Sequence, residues 1–276
     1  MTKLAARRRA RVRLIVLLIL AGALVLFGAL APLLTPNDPD ATSAADMNRA
    51  PSARYPLGTD RYGRCVCSRV MMGARTSIFS AVALVALTFV FGTALGMLAG
   101  WYGGVADTVV MRLADVLLAF PQMVLAIAVA GILGGGMGNA MLAMGVSGWT
   151  GYARLARAKV LSLKEEPYVS AARLSGCGGV SILLRTLLPN LLGPLVVNAS
   201  TQIGSMMIGI AGLSFLGIGV MEPHSEWGSM ISGMRAYIQL APWAVLAPAA
   251  ATILTVMVFN YLGDCVRDVL DVEVAK

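Results

Sequence analysis

Five runs without a single Asp, Glu, Lys or Arg dominate this chain: Leu14–Leu34, Thr76–Tyr102, Val116–Ala153, Thr186–Met221 and Ala236–Gly263. A helix needs roughly 20 predominantly apolar residues to cross the hydrocarbon core of a bilayer, and each run is long enough. Of the 276 residues 58% are hydrophobic and 13% charged, against about 25% charged in ordinary globular domains. The mean hydropathy is +0.77. A water-soluble domain of this size cannot hide so much apolar surface, so the solvent is lipid. The expectation is an all-α membrane protein.

The run beginning at Val116 contains Gly-Gly-Gly-Met-Gly-Asn at 134–139, a turn sequence that divides it between two helices. The run ending at Met221 has Pro189 and Pro194 near its start and reads as one span with flanks. Six spans follow, at about 14–34, 77–100, 110–133, 138–156, 191–216 and 243–263. Lys3, Arg7, Arg8, Arg9, Arg11 and Arg13 precede the first span with no acid among them, which places the N-terminus in the cytoplasm. Six crossings return the C-terminus there. The segment between spans four and five, with Arg154, Arg157, Lys159, Lys164, Arg173 and Arg185, is then cytoplasmic. The external 35–76 segment resists the rule: it carries six arginines against Asp38, Asp40, Asp46 and Asp60. It reads as an ordered loop with a short helix around Arg61–Gly73. The apolar run before Phe-Gly-Ala-Leu-Ala-Pro is longer than the ~7–15 residues of a signal peptide's core, so the first helix is read as retained.

Functional signals are sparse. The net charge of +8 fits positive-inside anchoring rather than nucleic-acid binding. There is no phosphate-cradling G-x-x-x-x-G-K-[ST] loop, no Ser/His/Asp set, no zinc motif and no sign of a cofactor. The four cysteines, Cys65, Cys67, Cys177 and Cys265, are read as unpaired thiols. Gly92, Gly96 and Gly100 form a G-x-x-x-G series suited to close helix packing. Arg112 and Asp115, three apart, are placed to pair. His224, the only histidine, alternates with Glu222 and Glu226 in Met-Glu-Pro-His-Ser-Glu-Trp-Gly. An extended loop would put all three on one face, able to meet a cation or an external partner. Met206, Met207, Met221 and Met230 supply soft donors nearby, or simply adaptable packing. Ion-driven carriers place ionisable residues within the bilayer; no span here carries one at its middle, which counts against a self-sufficient channel or secondary carrier.

One interruption stands out. Glu165-Glu-Pro-Tyr-Val-Ser-Ala-Ala-Arg-Leu-Ser-Gly-Cys-Gly-Gly179 lies on the cytoplasmic side. Pro167 suits a first helical turn, Glu165 and Glu166 suit its positive end, and Gly176 suits its C-terminal cap. Tyr168–Ser175 is a helix of two turns with small residues Ala171, Ala172 and Ser175 on offer. A helix that short is marginal alone and needs a partner surface.

Tyr-Val-Ser-Ala-Ala-Arg-Leu-Ser-Gly, continuing to Leu188-Pro189, resembles the coupling motif of ABC importer permeases, the helix that docks on the ATPase. Ala171, Ala172, Gly176, Leu188 and Pro189 match it; Ser170 replaces the usual Glu and Thr186 a usual aliphatic residue. Pro-Leu-Gly-Thr-Asp at 56–60, followed by Gly63-Arg64 and Ser68-Arg69, resembles the dipeptide/oligopeptide/nickel branch, with Cys65 where that branch carries Asp. Gly-Trp-Tyr-Gly-Gly-Val-Ala-Asp from 100 and Ala-Gly-Leu-Ser-Phe-Leu-Gly from 211 are similar to it as well. The resemblance runs from about Leu30 to Asp271 and is closest to the nickel-type branch.

It implies an ABC permease fold of six helices with both termini cytoplasmic. Residues 1–72 hold the first helix and the external segment, 73–266 the transmembrane domain and 267–276 a cytoplasmic tail. The ATPase-coupling residues would be Glu165, Glu166, Tyr168, Ser170, Ala171, Ala172, Arg173 and Gly176. The implied partners are a second homologous permease subunit, two cytosolic ABC ATPases, an external solute-binding protein and the lipid bilayer. The chain would sit in a bacterial inner membrane and hydrolyse nothing itself. The expected cargo is nickel or a chelated metal, with dipeptides or oligopeptides as the alternative.

Overall fold

The computed structural model describes residues 3–274, with side chains for 11–269. The basic residues Lys3 to Arg9 and the end of the tail therefore lie outside the described side chains. Among the described residues ten helices longer than a single turn run in chain order: α1 (Lys3–Leu34), α2 (Val66–Tyr102), α3 (Gly104–Leu118), α4 (Gln122–Leu133), α5 (Met137–Gly148), α6 (Thr150–Leu163), α7 (Pro167–Leu174), α8 (Gly179–Phe215), α9 (Trp227–Met234) and α10 (Trp243–Val274). The described residues contain no strand, only a bridge between Thr59 and Cys65.

Among the described residues four helices are long and apolar enough to cross a membrane: α1 from Arg11, α2, α8 and α10 as far as Val269. A fifth crossing exists if α3 and α4 are one broken span, for they meet at an angle of 91°. The break has a local cause. Pro121 stands between them with ψ 127°, and its ring and missing N–H prevent the helix from running through. The span expected at 110–133 is thus two helices, beginning earlier, at Gly104. The one expected at 138–156 falls on α5 and the first half of α6, which are 12 and 14 residues long and meet at Trp149. Neither is a long apolar helix: α5 is apolar but has only 12 residues, and Arg154, Arg157 and Lys159 enter α6. The helix expected at Arg61–Gly73 is not separate; from Val66 it is the start of α2, which also runs through the boundary expected at 72/73. The turn expected at 134–139 is present as Gly134–Gly136, with Asn139 Nδ2 donating to the Leu133 and Gly134 carbonyls at 2.9 and 3.1 Å.

The glycine series acts as expected. A Cβ on Gly92 would lie 2.3 Å from the Trp149 carbonyl oxygen, and one on Gly96 2.2 Å from that of Ala153. Without side chains, α2 and α6 approach to backbone contact, which maximises dispersion where lipid supplies no hydrophobic drive. The methionines are packing atoms. Met206, Met207 and Met230 are buried with Ile78, Leu84, Ile210 and Leu213 in the largest core cluster. Met221 lies over Gly135. A second cluster, beside α7, joins Met97, Tyr152, Val160, Val169, Ile182, Leu183 and Leu187.

Candidate functional site

Helix α7 forms where the sequence places it. Pro167 opens it, Glu166 precedes it in extended conformation, and Glu165 and Glu166 are exposed at its N-terminal end. Its C-terminus is a Schellman arrangement: Cys177 N–H donates to the Ala172 carbonyl at 3.1 Å and Gly176 N–H to that of Arg173 at 3.0 Å. Gly176 has φ +79°, a conformation that costs only glycine nothing.

The helix is two-sided. Val169 is fully buried, and Ala172 packs beside it against the cluster holding Leu163, Leu183 and Leu187. Arg173 lies over the Trp101 ring at 4.7 Å and so pins α7 to the end of α2. Outward it presents Ser170, Ala171, Ser175, Tyr168 at 41% exposure and Leu174 at 90%. Among the described residues the small face expected for docking is therefore divided. Ala172 belongs to the inner side because it lies three residues from Val169 on the same face of the helix.

Two ion pairs tie α6 to α3. Arg157 donates from Nε and Nη2 to the two carboxylate oxygens of Asp107. Arg154 Nη2 donates to Asp115 Oδ1 at 2.6 Å. Asp115 thus pairs across helices, not with Arg112 as spacing alone suggested. These contacts were missed because sequence separation hides them.

Glu222, His224 and Glu226, expected on the external side, do not converge. Glu226 is fully buried and caps α9: its carboxylate accepts from Gly228 N–H and Ser229 N–H, both at 2.9 Å, and from Ser77 Oγ at 3.1 Å. Glu222 accepts from Arg61 and Arg64, each at 3.4 Å. Burial opposes its ionisation, but the charges of Arg64 and Arg61 and a hydrogen bond from Tyr62 outweigh it, so its carboxyl stays below the usual glutamate range. His224 is exposed. The described residues hold no group of three His, Cys, Asp or Glu side chains able to share a metal ion.

Ion pairs also hold four of the six arginines of the 35–76 segment. Arg64 bonds Asp60 at 2.7 Å, Arg69 bonds Asp40 at 3.1 Å and the Pro223 carbonyl at 3.1 Å, and Arg49 meets Asp46 at 3.0 Å. Arg64 and Arg69 are buried. The void among Asp60, Arg61, Arg64, Arg69 and Glu222 is about 10 Å³, room for about one water molecule. This cluster is a structural clasp between the 35–65 segment and the loop before α9, too small to admit a cargo.

The class is defined first by the fold: a polytopic helical membrane protein carrying a short amphipathic helix between two longer ones at one end. Comparison with known proteins makes it specific. The family described as "Binding-protein-dependent transport system inner membrane component" matches residues 92–276. The dipeptide transport system permease DppC of Alkalihalophilus pseudofirmus is 40% identical, over 93% of this chain and 84% of its own length. The glutathione transport system permease GsiD of Pectobacterium atrosepticum is 43% identical, over 82% and 75%. The nickel transport system permease NikC of Escherichia coli is 40% identical, over 86% and 85%. An inward-facing structure of the MetNI methionine ABC transporter shares the fold, with TM-score 0.52 and 19% identity, over 71% of this chain and 94% of that one. This chain belongs to the family of binding-protein-dependent inner membrane transport components: it is an ABC importer permease, a multi-pass protein of the bacterial inner membrane.

Proposed function

We propose that this chain forms half of the translocation pathway of an ATP-driven importer, beside a second related permease subunit, two cytosolic ATPases and an external binding protein. Both termini and α7 face the cytoplasm, and α5 with the start of α6 completes six crossings. The observation that carries this reading is the outer face of α7. Leu174 is 90% exposed on an eight-residue helix, and so apolar a residue on so short an element fits coverage by a partner. Tyr168, Ser170, Ala171 and Ser175 extend that face, and Glu165 and Glu166 flank it. Val169, Ala172, Arg173 and Gly176 hold the helix in place, so that motion of a docked ATPase passes to α2, α6 and α8. Hydrolysis belongs to the ATPases.

The cargo is a peptide or a chelated metal rather than a bare nickel ion. Its relatives handle dipeptide, glutathione and nickel, and Glu222 and Glu226, expected to greet a cation, are engaged within the fold. The test is reconstitution of the complete complex in proteoliposomes, with uptake of a labelled dipeptide, of nickel and of nickel in a carboxylate chelator compared with and without ATP. Uptake by the permease subunits alone, lacking ATPases, would support a self-sufficient carrier instead.

A further inference from the structure

A cleft of about 790 Å³ opens between α6, α8 and α10, lined by Lys159, Asn190, Asn198, Thr201 and Arg267 together with Leu155, Pro189, Pro194 and Val197. Its size lies within the ~300–1,000 Å³ of small-molecule sites. Its lining contains two cations and no carboxylate; Asp264 and Asp268, on the same helix as Arg267, lie outside it. Among the described residues neither Lys159 nor Arg267 has an ion-pair partner, and the Asn198 side chain makes no hydrogen bond within the chain. Asn190 Nδ2 donates to the Thr186 carbonyl at 2.7 Å, which leaves its oxygen free to accept from an N–H.

The position of the cleft is as informative as its chemistry. Lys159 sits in the last turn and a half of α6, directly before α7, and Pro189–Thr201 lie on α8, directly after it. Both walls are therefore continuous in chain with α7. Between α7 and the α8 wall, Ile182–Leu187 form a π-helical turn, a feature that recurs at functional sites in helices. Movement of α7 shifts two of the three walls.

We infer that this cleft is a cargo site on the α7 side of the membrane and that it receives the carboxylate end of a peptide between Lys159 and Arg267, with Asn190 and Asn198 meeting its amide groups. The inference rests on the importer reading and narrows its cargo to carboxylate-bearing solutes. Exposed cations attract such a group without holding it tightly, as release from a pathway requires.

The test uses the complete complex in nanodiscs of phosphatidylcholine, with Thr201→Cys, also in the cleft wall, in a background where Cys65, Cys67, Cys177 and Cys265 are serine. Labelling by a sulfonate-bearing methanethiosulfonate should exceed labelling by its trimethylammonium counterpart by about tenfold, the lower range of electrostatic focusing in a charged cleft. Lys159→Gln with Arg267→Gln should abolish the difference; both residues are exposed, so the fold is retained. Saturating dialanine should slow the sulfonate reaction, and its C-terminal amide should not. Equal rates for the two reagents, or equal protection by the amide, would overturn the proposal. So would phosphatidylglycerol blocking the thiol while dialanine does not, since the cleft would then be a lipid site. ATP-driven uptake is measured separately in proteoliposomes: protection without uptake removes the importer reading and leaves the cleft, and uptake without protection does the reverse.

Discussion

Arg157 on α6 grips Asp107 on α3 through both carboxylate oxygens. The pair joins the helix that leads into α7 to the first member of the bent α3–α4 pair. Asp107→Asn should lower the stability of the purified subunit in detergent by about 1–2 kcal/mol, the range for a hydrogen-bonded charge pair open to solvent on one side. Arg157→Lys should cost a similar amount, because an ammonium cannot make the fork-shaped contact. Reversing both charges should recover most of the loss in a double-mutant cycle. Additive effects would show that the two residues do not act together.

Gly96 tolerates no side chain. Its Cβ would stand 2.2 Å from the Ala153 carbonyl oxygen, a backbone atom that moves only if α6 moves. Gly96→Ala should cost at least ~1–3 kcal/mol, the usual range for overpacking, seen as a lower midpoint of thermal unfolding in detergent. Gly138→Ala is the control, since nothing lies within 4 Å of its Cβ position; an equal loss there would contradict the packing argument.

Glu226 should be structural. Glu226→Ala removes a helix cap and leaves Ser77 and two backbone N–H groups without their acceptor. Together these losses should amount to about 2–4 kcal/mol. Glu226→Gln keeps an acceptor oxygen and should cost less. His224→Ala should leave stability unchanged. Limited proteolysis of the loop before α9 in membranes reports all three.

The clasp at Glu222 should loosen in acid. Its carboxyl titrates below the ordinary value of 4.5 in the folded protein, so its contribution is fully present above that value. It is lost as the pH falls through the lower folded value, when protonation removes the charge facing Arg61 and Arg64. Protease nicking of residues 35–65 should therefore rise below about pH 4.5 in the native protein. Glu222→Gln should show the nicked rate already at neutral pH and a flatter acid profile. Parallel profiles would assign the acid response to another group.

Leu174→Asp and Ala171→Trp should stop ATP-linked uptake while membrane insertion continues, because both alter the outer face of α7 and neither residue is in the core. Gly176 is a poor probe: at φ +79° any L side chain strains the cap itself. Uptake at the native rate in both variants would remove α7 as the ATPase contact.

The membrane class, the small α7 helix and its glycine cap were legible in the sequence because each depends on local chemistry. Apolar length follows from counting. Pro167 and Gly176 fix the ends of α7 through the backbone of a few residues. The Gly92–Gly96–Gly100 series is equally local, since a four-residue repeat puts all three on one helix face whatever packs there. Other features were set by distance in space. The span expected at 110–133 was read straight through Pro121, and the bend of 91° there depends on what each half packs against. Asp115 had Arg112 at helical spacing, yet the neighbouring helix brought Arg154 nearer. Glu222, His224 and Glu226 share a face only if their loop is extended. Instead Glu226 turned inward, because a buried helix start needs an acceptor for its free N–H groups and Ser77 needed a partner. Sequence settles which groups must be satisfied; only the packed helices decide which neighbour is close enough to satisfy them.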